Sequence, residues 1–306
     1  MITGGAGFIG ANIVNRLLDL GHKNINLIIK ESTDLTRLKN AIKKINLYKV
    51  DLLDKELLQK IVNKINPSII IHLATYSQYR NQQAVLPMIE SNIKATLNLL
   101  NSTRKLNYDV FINTGSSSEY GIKDKPMKES DLLEPISFYA STKASATLLC
   151  QVFAKEYNKP IVTLRPFSVF GPLEEDERFI PTIIKSVIKN KPIKVTSGKQ
   201  RRDFIYIDDV VDIYIKIMSN GKRLSGQILN MGTGVEHSND EVVQKLFKVT
   251  GKKVKVEKGA FPKRLWDTSH WVADISKTKK SLKWKPRFTL EYGLKKTYEW
   301  SLRNEE

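Results

Sequence analysis

Cysteine is nearly absent from this chain of 306 residues: Cys150 stands alone. A single thiol excludes disulfides within the chain and leaves no cysteine-ligated metal site. Histidine is almost as scarce, and His22, His72, His237 and His270 show no metal-ligand spacing. Long apolar runs are missing too. The longest, such as residues 68–74, have the length of a strand and fall far short of the roughly 20 residues a membrane span needs. No transmembrane helix is expected. Acidic charge is in deficit: 50 Lys plus Arg stand against 32 Asp plus Glu, a formal charge of +18. Such an excess can mark a nucleic-acid partner. Here the basic residues are spread through a background rich in Lys, Asn and Ile, with no basic block interleaved with aromatics. A positive field around an anionic substrate is therefore expected, and nucleic-acid binding is not. Glycines follow Met1 almost at once, which leaves no room for a secretory leader and predicts a cytoplasmic protein.

What the chain does have is alternation. Apolar runs at 25–29, 47–50, 69–73, 110–114 and 161–164 read as buried strands, and amphipathic patterns at about 11–20, 54–65, 88–106 and 138–157 read as helices between them. This order predicts βαβ units and a Rossmann-like, doubly wound parallel sheet in an α/β protein. After Arg165 the pattern loses regularity, punctuated by Pro166, Pro172, Pro181 and Pro192. The expected division is a dinucleotide-binding domain over 1–165, revisited by about 203–234, and a smaller substrate-binding lobe in 166–306. Only Met1, Ile2 and Thr3 precede the first glycine, so the first strand is expected to be unusually short, or to lack residues upstream.

Gly4, Gly7 and Gly10, with Phe8 and Ile9 among them, give a G-x-x-G-x-x-G spacing directly before a helical run. Glycines permit the tight turn and let a pyrophosphate approach the backbone at a helix N-terminus, so this loop predicts dinucleotide binding. The end of the second strand distinguishes NAD from NADP, since an acid there bonds the ribose and a base accepts the 2′-phosphate. Lys30, Ser32 and Arg37 favour NADP, while Glu31 and Asp34 keep NAD open. Further along, Tyr139 and Lys143 stand at i and i+4 of one helical run. A lysine on the same face favours the ionised form of a phenol, the requirement for a tyrosine base near neutral pH. Ser116, in the Ser-rich turn after the fourth main strand, lies at the carboxyl end of the sheet, where its hydroxyl suits an oxygen that gains or loses hydride.

Together these residues resemble the extended short-chain dehydrogenase/reductase family, in its nucleotide-sugar epimerase, dehydratase and reductase branch. The resemblance covers nearly the whole chain. It includes Asp51 and Leu52, similar to the family's adenine contact, the run His72-Leu73-Ala74, Asn92, the stretch 164–172, and 201–210. Residues 264–267, with 271–274 behind them, resemble its C-terminal nucleotide-binding segment. The resemblance implies that Tyr139 is the acid/base, that Lys143 holds the nicotinamide ribose and tunes Tyr139, and that Ser116 bonds the sugar oxygen. Leu73 and Ala74 would line the cofactor. Ser117, Ser118 and Ser168 would contact the sugar, Arg202 and Arg264 would grip a pyrophosphate, and Asp267 would lie on the nucleoside side. Arginine suits that task because its planar fork bonds phosphate oxygens in pairs. Ser168 stands where many relatives carry Asn.

The branches differ around the serine. Dehydratases follow the hydroxyl residue with an acidic pair, whereas this chain has Ser117 and Ser118, with Glu119 displaced by one position. The pattern leans toward a reductase of 4-keto-6-deoxy nucleotide sugars acting at C4. The alternative is a 4-epimerase that retains NAD; a dehydratase and a non-catalytic cofactor-binding regulator come behind. By the same resemblance a homodimer is expected, formed through helices 88–106 and 138–157.

Overall fold

The computed structural model describes residues 1–77, 84–261 and 268–304. The chain divides into two compact units, the first made of Met1–Gly121, Leu132–Arg165 and Val211–Leu229, the second of Ile122–Asp131, Pro166–Val210 and Asn230–Glu306.

The first unit is built on a sheet of seven strands, the last two of which run on into the second unit: β1 (Ile2–Thr3), β2 (Asn26–Ile29), β3 (Asn46–Lys49), β4 (Ile69–His72), β5 (Val110–Thr114), β6 (Ile161–Pro166) and β11 (Ile228–Met231). Their order is β11-β6-β5-β4-β1-β2-β3. The pairs β1–β2, β1–β4, β2–β3, β4–β5 and β5–β6 run parallel. Strands such as β2 and β5 are buried along their whole length. A parallel strand covered on both faces needs a continuous apolar run, which is the pattern these segments carry. The expected α/β sheet is thus present.

Helices α1 (Phe8–Asp19), α2 (Lys55–Ile65), α3 (Val85–Ile89), α4 (Ala95–Thr103) and α5 (Phe138–Glu156) accompany the sheet. Asp54 starts α2 by accepting the Leu57 N–H at 3.0 Å, and Asn66, at φ 42°, ends it in the left-handed region. Leu58 and Val62 of α2 join Leu99 of α4, Phe111 of β5 and Cys150 of α5 in one apolar core. The helix expected at 88–106 begins earlier, at Val85, and is interrupted by a π turn over Glu90–Lys94. A π turn inserts one residue into the ladder, and the apolar period gives no warning of it.

In the second unit, β7 (Ser168–Phe170) pairs parallel with β10 (Phe204–Tyr206), β8 (Ile193–Lys194) parallel with β13 (Val256–Glu257), and β9 (Arg201–Arg202) antiparallel with β12 (His237–Ser238). Helices α6 (Phe179–Ile188), α8 (Asn239–Thr250), α9 (Ser276–Leu282) and α10 (Leu290–Asn304) complete it, and α7 (Ile207–Met218) runs from this unit into the first. Phe170, Phe204, Tyr206 and Phe288 form its aromatic centre. Among the described residues no helix is long and apolar enough to cross a membrane.

A buried polar chain ties β1 and β4 to the helices. Thr3 Oγ1 and His72 Nδ1 are 2.7 Å apart, His72 Nε2 and Thr96 Oγ1 2.9 Å, and Thr96 Oγ1 donates to Asn92 O at 2.7 Å. Since the Thr96 proton is used on Asn92, Thr96 must accept from His72, which fixes the neutral imidazole with its proton on Nε2. Burial, and after it the Lys143 ammonium, pushes the His72 pKa from 6.5 down to about 3. The folded state thus favours the neutral ring. Its stabilising share is complete above pH 6.5 and is lost as the pH falls toward 3. Between pH 7 and pH 5 the loss should be about 2 kcal/mol, read as a fall in the urea midpoint that His72→Asn does not share. An equal fall in both proteins would refute it.

Candidate active site

The glycine loop leaves β1 and enters α1. Gly4 has φ +69°, and a Cβ on it would lie 2.5 Å from the Ala74 nitrogen. A Cβ on Gly10 would lie 2.4 Å from Gly4 O. Both glycines thus serve close backbone packing. Gly7 differs: a Cβ there would meet only Gly4 O, at 3.4 Å. Gly7 is the N-cap of α1, with no side chain bonded to the helix start. Phe8 is buried and Ile9 half-buried, while Leu73 N–H donates to Thr3 O at 3.0 Å and Ala74 N–H reaches Thr3 Oγ1 at 3.4 Å. An open first turn over a loop of this shape fits a dinucleotide pyrophosphate.

Beyond β2, Lys30 Nζ pairs with Asp51 Oδ2 at 3.2 Å and Glu31 pairs with Lys49 at 2.6 Å. These side chains are 45–78% exposed, so each pair contributes at most about 1 kcal/mol. Lys30 N–H donates to Thr33 Oγ1 at 3.0 Å, forming the turn that holds exposed Ser32, and Arg37 sits half-buried in a short 3₁₀ turn. Asp51 Oδ1 accepts the Leu53 N–H at 3.0 Å, and the carbonyl of buried Leu52 accepts from Asn98 Nδ2 at 2.9 Å. Lys30, Asp51 and Leu52 therefore lie together past the ends of β2 and β3.

Helix α5 begins at Ser137, whose hydroxyl accepts the Ala140 N–H at 3.2 Å. Tyr139 and Lys143 follow on one face, Tyr139 half-buried and Lys143 buried. The Lys143 ammonium donates to Thr114 O at 2.5 Å. Burial lowers its pKa, and the Glu119 carboxylate opposes that shift. Asn92, from the π turn, accepts Tyr76 N–H at 2.8 Å and Thr75 Oγ1 at 3.0 Å, and donates to Tyr76 O and Thr142 Oγ1, both at 3.0 Å. It pins the loop after β4 to α5.

Ser116 follows β5 in extended conformation and caps a 3₁₀ turn over Ser117–Tyr120. Its Oγ accepts the Ser118 N–H at 3.1 Å and lies 2.7 Å from Ser118 Oγ, while Ser117 is buried. Glu119 turns inward. Its Oε1 accepts the Ser116 N–H at 2.7 Å and Thr147 Oγ1–H at 3.0 Å, and its Oε2 accepts Arg165 Nε–H at 2.8 Å. Both ends of that ion pair are essentially unexposed, at 0% and 1%. Burial raises the Glu119 pKa and the Arg165 guanidinium opposes the rise. Thr147 and Arg165 were not singled out in the sequence, nor was Glu119 as a partner of Ser116. The S-x-x-E spacing of a capping box was the available signal.

In the second unit, Ser168 N–H donates to Asp203 O at 2.9 Å, and the residue faces Phe204, two positions past Arg202. Arg202 is half-buried, donates to Arg201 O at 2.7 Å and lies 5.2 Å over the Trp271 ring. Asp203 is wholly buried and accepts the N–H groups of Thr233, Gly234 and Ala273 at 2.8, 2.9 and 3.2 Å. Arg264 and Asp267 lie outside the described residues.

Residues 1–232 match the model of the NAD dependent epimerase/dehydratase family. The whole chain is 34% identical to a UDP-glucuronate 4-epimerase of Thermodesulfobacterium geofontis, 97% of which is covered. Among solved structures it is similar to UDP-glucuronic acid 4-epimerase from Bacillus cereus in complex with UDP-glucuronic acid and NAD, with a TM-score of 0.88, 28% identity, and 99% and 98% of the two chains covered. A second is UDP-glucose 4-epimerase with UDP-glucose from Thermotoga maritima, with a TM-score of 0.89, 26% identity, and 100% and 99% covered. With the glycine loop, the Tyr139–Lys143 helix and the seven-stranded sheet in place, the chain belongs to the NAD dependent epimerase/dehydratase family.

Proposed function

We propose that the chain is an NAD-dependent 4-epimerase of a UDP-hexose. The observation that carries this reading is the surroundings of Ser116. Ser117 and Ser118 follow it where dehydration would call for an acidic pair, and the one nearby acid, Glu119, is bound to Arg165 and Thr147. The similar 4-epimerases support the same choice, and they favour it over the ketoreductase to which the sequence leans. Bound NAD supplies the chemistry of taking hydride from C4 and returning it. Tyr139, as phenolate, removes the C4 hydroxyl proton and later gives it back, Lys143 favours that phenolate, and the Ser116 hydroxyl bonds the C4 oxygen. Gly4, Gly7, Gly10, Asp51, Leu52, Leu73 and Ala74 would hold the dinucleotide. Ser168, Arg202, Arg264 and Asp267 would hold the sugar nucleotide.

The residues beyond β2 support NAD over NADP. Lys30, the first cation a 2′-phosphate would need, is committed to Asp51, and Lys49 on the neighbouring strand is likewise paired, with Glu31. Leu86 and Ile89 of α3 and Leu148 and Val152 of α5 are large apolar side chains left 40–73% exposed. They support a homodimer through these helices.

The test is to incubate the purified protein, its mass checked by light scattering for a dimer, with UDP-glucuronate, UDP-glucose or UDP-N-acetylglucosamine and NAD. The expected result is the C4 epimer of one of them by proton NMR, with no net formation of NADH. Stoichiometric consumption of NADPH by a 4-keto-6-deoxy substrate would replace the reading with the ketoreductase.

A further inference from the structure

We propose that Glu119 is a positioning residue for the hydride-transfer step: its carboxylate, anchored by Arg165, holds the Ser116 backbone against the helix that carries Tyr139 and Lys143. The geometry is closed on three sides. Oε1 takes the Ser116 N–H from the loop and the Thr147 hydroxyl from α5, while Oε2 takes Arg165 Nε–H from β6. Thr147 stands one helical turn beyond Lys143 on the face shared with Tyr139. A single buried carboxylate thus fixes the distance between the loop that presents the serine hydroxyl and the helix that presents the phenol.

Two further features fit this role. Gly115 makes room for it, because a Cβ there would lie 2.4 Å from Glu119 Oε1. The Arg165 guanidinium, 4.5 Å over the Tyr120 ring, is held against the residue that follows Glu119. Ion-pairing in this dry setting keeps the carboxylate an acceptor for all three donors. Glutamine is close in size, yet it cannot serve them. Either orientation of its amide sets an N–H against the Arg165 donor or against the Ser116 and Thr147 donors.

The inference rests on the epimerase reading for its kinetic arm only. The arm that needs no turnover is amide hydrogen exchange over residues 114–121. In Glu119→Gln the Ser116 amide should exchange at least about 10-fold faster, with the segments of β2 and β3 unchanged. In the kinetic arm, with whichever UDP-hexose the wild type converts, Glu119→Gln should lower kcat by about 10–100-fold. KM and the Kd for NAD should stay within about twofold. On a Ser116→Ala background the same substitution should cost less than about twofold, since Glu119 then has no hydroxyl left to place. Thr147→Val, which loses one donor and keeps the shape, should lower kcat by about threefold and covers the case in which Glu119→Gln fails to fold. Unchanged exchange at Ser116 in Glu119→Gln, an unchanged kcat in Thr147→Val, or a Glu119→Gln loss as large without Ser116 as with it, overturns the proposal. A wild type that converts no UDP-hexose refutes the functional reading, and the exchange result still decides the role of Glu119.

Discussion

Tyr139→Phe should lower kcat by about 1,000-fold while leaving NAD affinity within about twofold. The substitution removes one oxygen from a half-buried side chain near the start of α5. The helix has other supports, including the Ser137 cap and the buried Ala140, Ala144 and Thr147 faces, so the fold should persist. On the proposed reading, what is lost is the group that carries the C4 proton, and a positioned acid/base of this kind contributes about 100- to 10,000-fold. Lys143 keeps its contact with Thr114 O in the variant, so the cofactor side should be little changed. Single-turnover measurement with the converted UDP-hexose, beside calorimetric titration of NAD, separates the two effects. Turnover at the wild-type rate would remove Tyr139 from the chemistry and with it the assigned reaction.

Gly10→Ala should be the most damaging change in the nucleotide loop. The new methyl would lie 2.4 Å from Gly4 O and 2.7 Å from Gly5 Cα, backbone atoms that cannot rotate out of the way. The loop and the first turn of α1 would have to separate. Overpacking of this kind costs about 1–3 kcal/mol, which corresponds to roughly a 5- to 150-fold weaker Kd if the strain falls on the binding conformation. Gly7→Ala makes the contrast. Its methyl meets Gly4 O at an ordinary 3.4 Å, so the protein should unfold near the wild-type urea midpoint while NAD binding weakens through lost room above the helix start. Wild-type affinity in Gly10→Ala would show that the loop does not receive the dinucleotide.

Much of the first unit was legible because its signals are local. Apolar runs gave β2, β4 and β5 to within a residue or two, and glycine spacing located the loop even though β1 supplies only two residues. The π turn was not legible: the apolar period of 85–103 is compatible with one continuous helix, and the inserted residue shows only where the Asn92 side chain makes four hydrogen bonds at once, to Thr75, Tyr76 and Thr142. Glu119 reads in the sequence as an acid displaced by one position on a turn, and so pointing elsewhere than a dehydratase acid, but where it points is set by distant residues. Its partners Thr147 and Arg165 are 28 and 46 residues away, beyond the reach of any local pattern. The cations assigned to a 2′-phosphate were chosen by their place on the strand end, and the Lys30–Asp51 pair depends on a neighbouring strand that sequence order alone does not place.

The place of β1 bears on how the protein persists once made. This strand sits in the middle of the sheet, paired with β2 on one side and β4 on the other, and the Ile71 and Leu73 amides donate to the Met1 and Thr3 carbonyls at 2.9 and 3.0 Å. The glycine loop leaves directly from it, and a Cβ on Gly4 would lie 2.5 Å from the Ala74 nitrogen, so the loop and the sheet centre are packed as one piece. A ligand that binds this loop in the folded chain and not in the unfolded one stabilises the fold by mass action, by about 2.7 kcal/mol at a hundredfold excess over its Kd. On the proposed reading that ligand is the dinucleotide, and the middle of the sheet is then where the nucleotide pool bears on the protein's stability as well as on its activity.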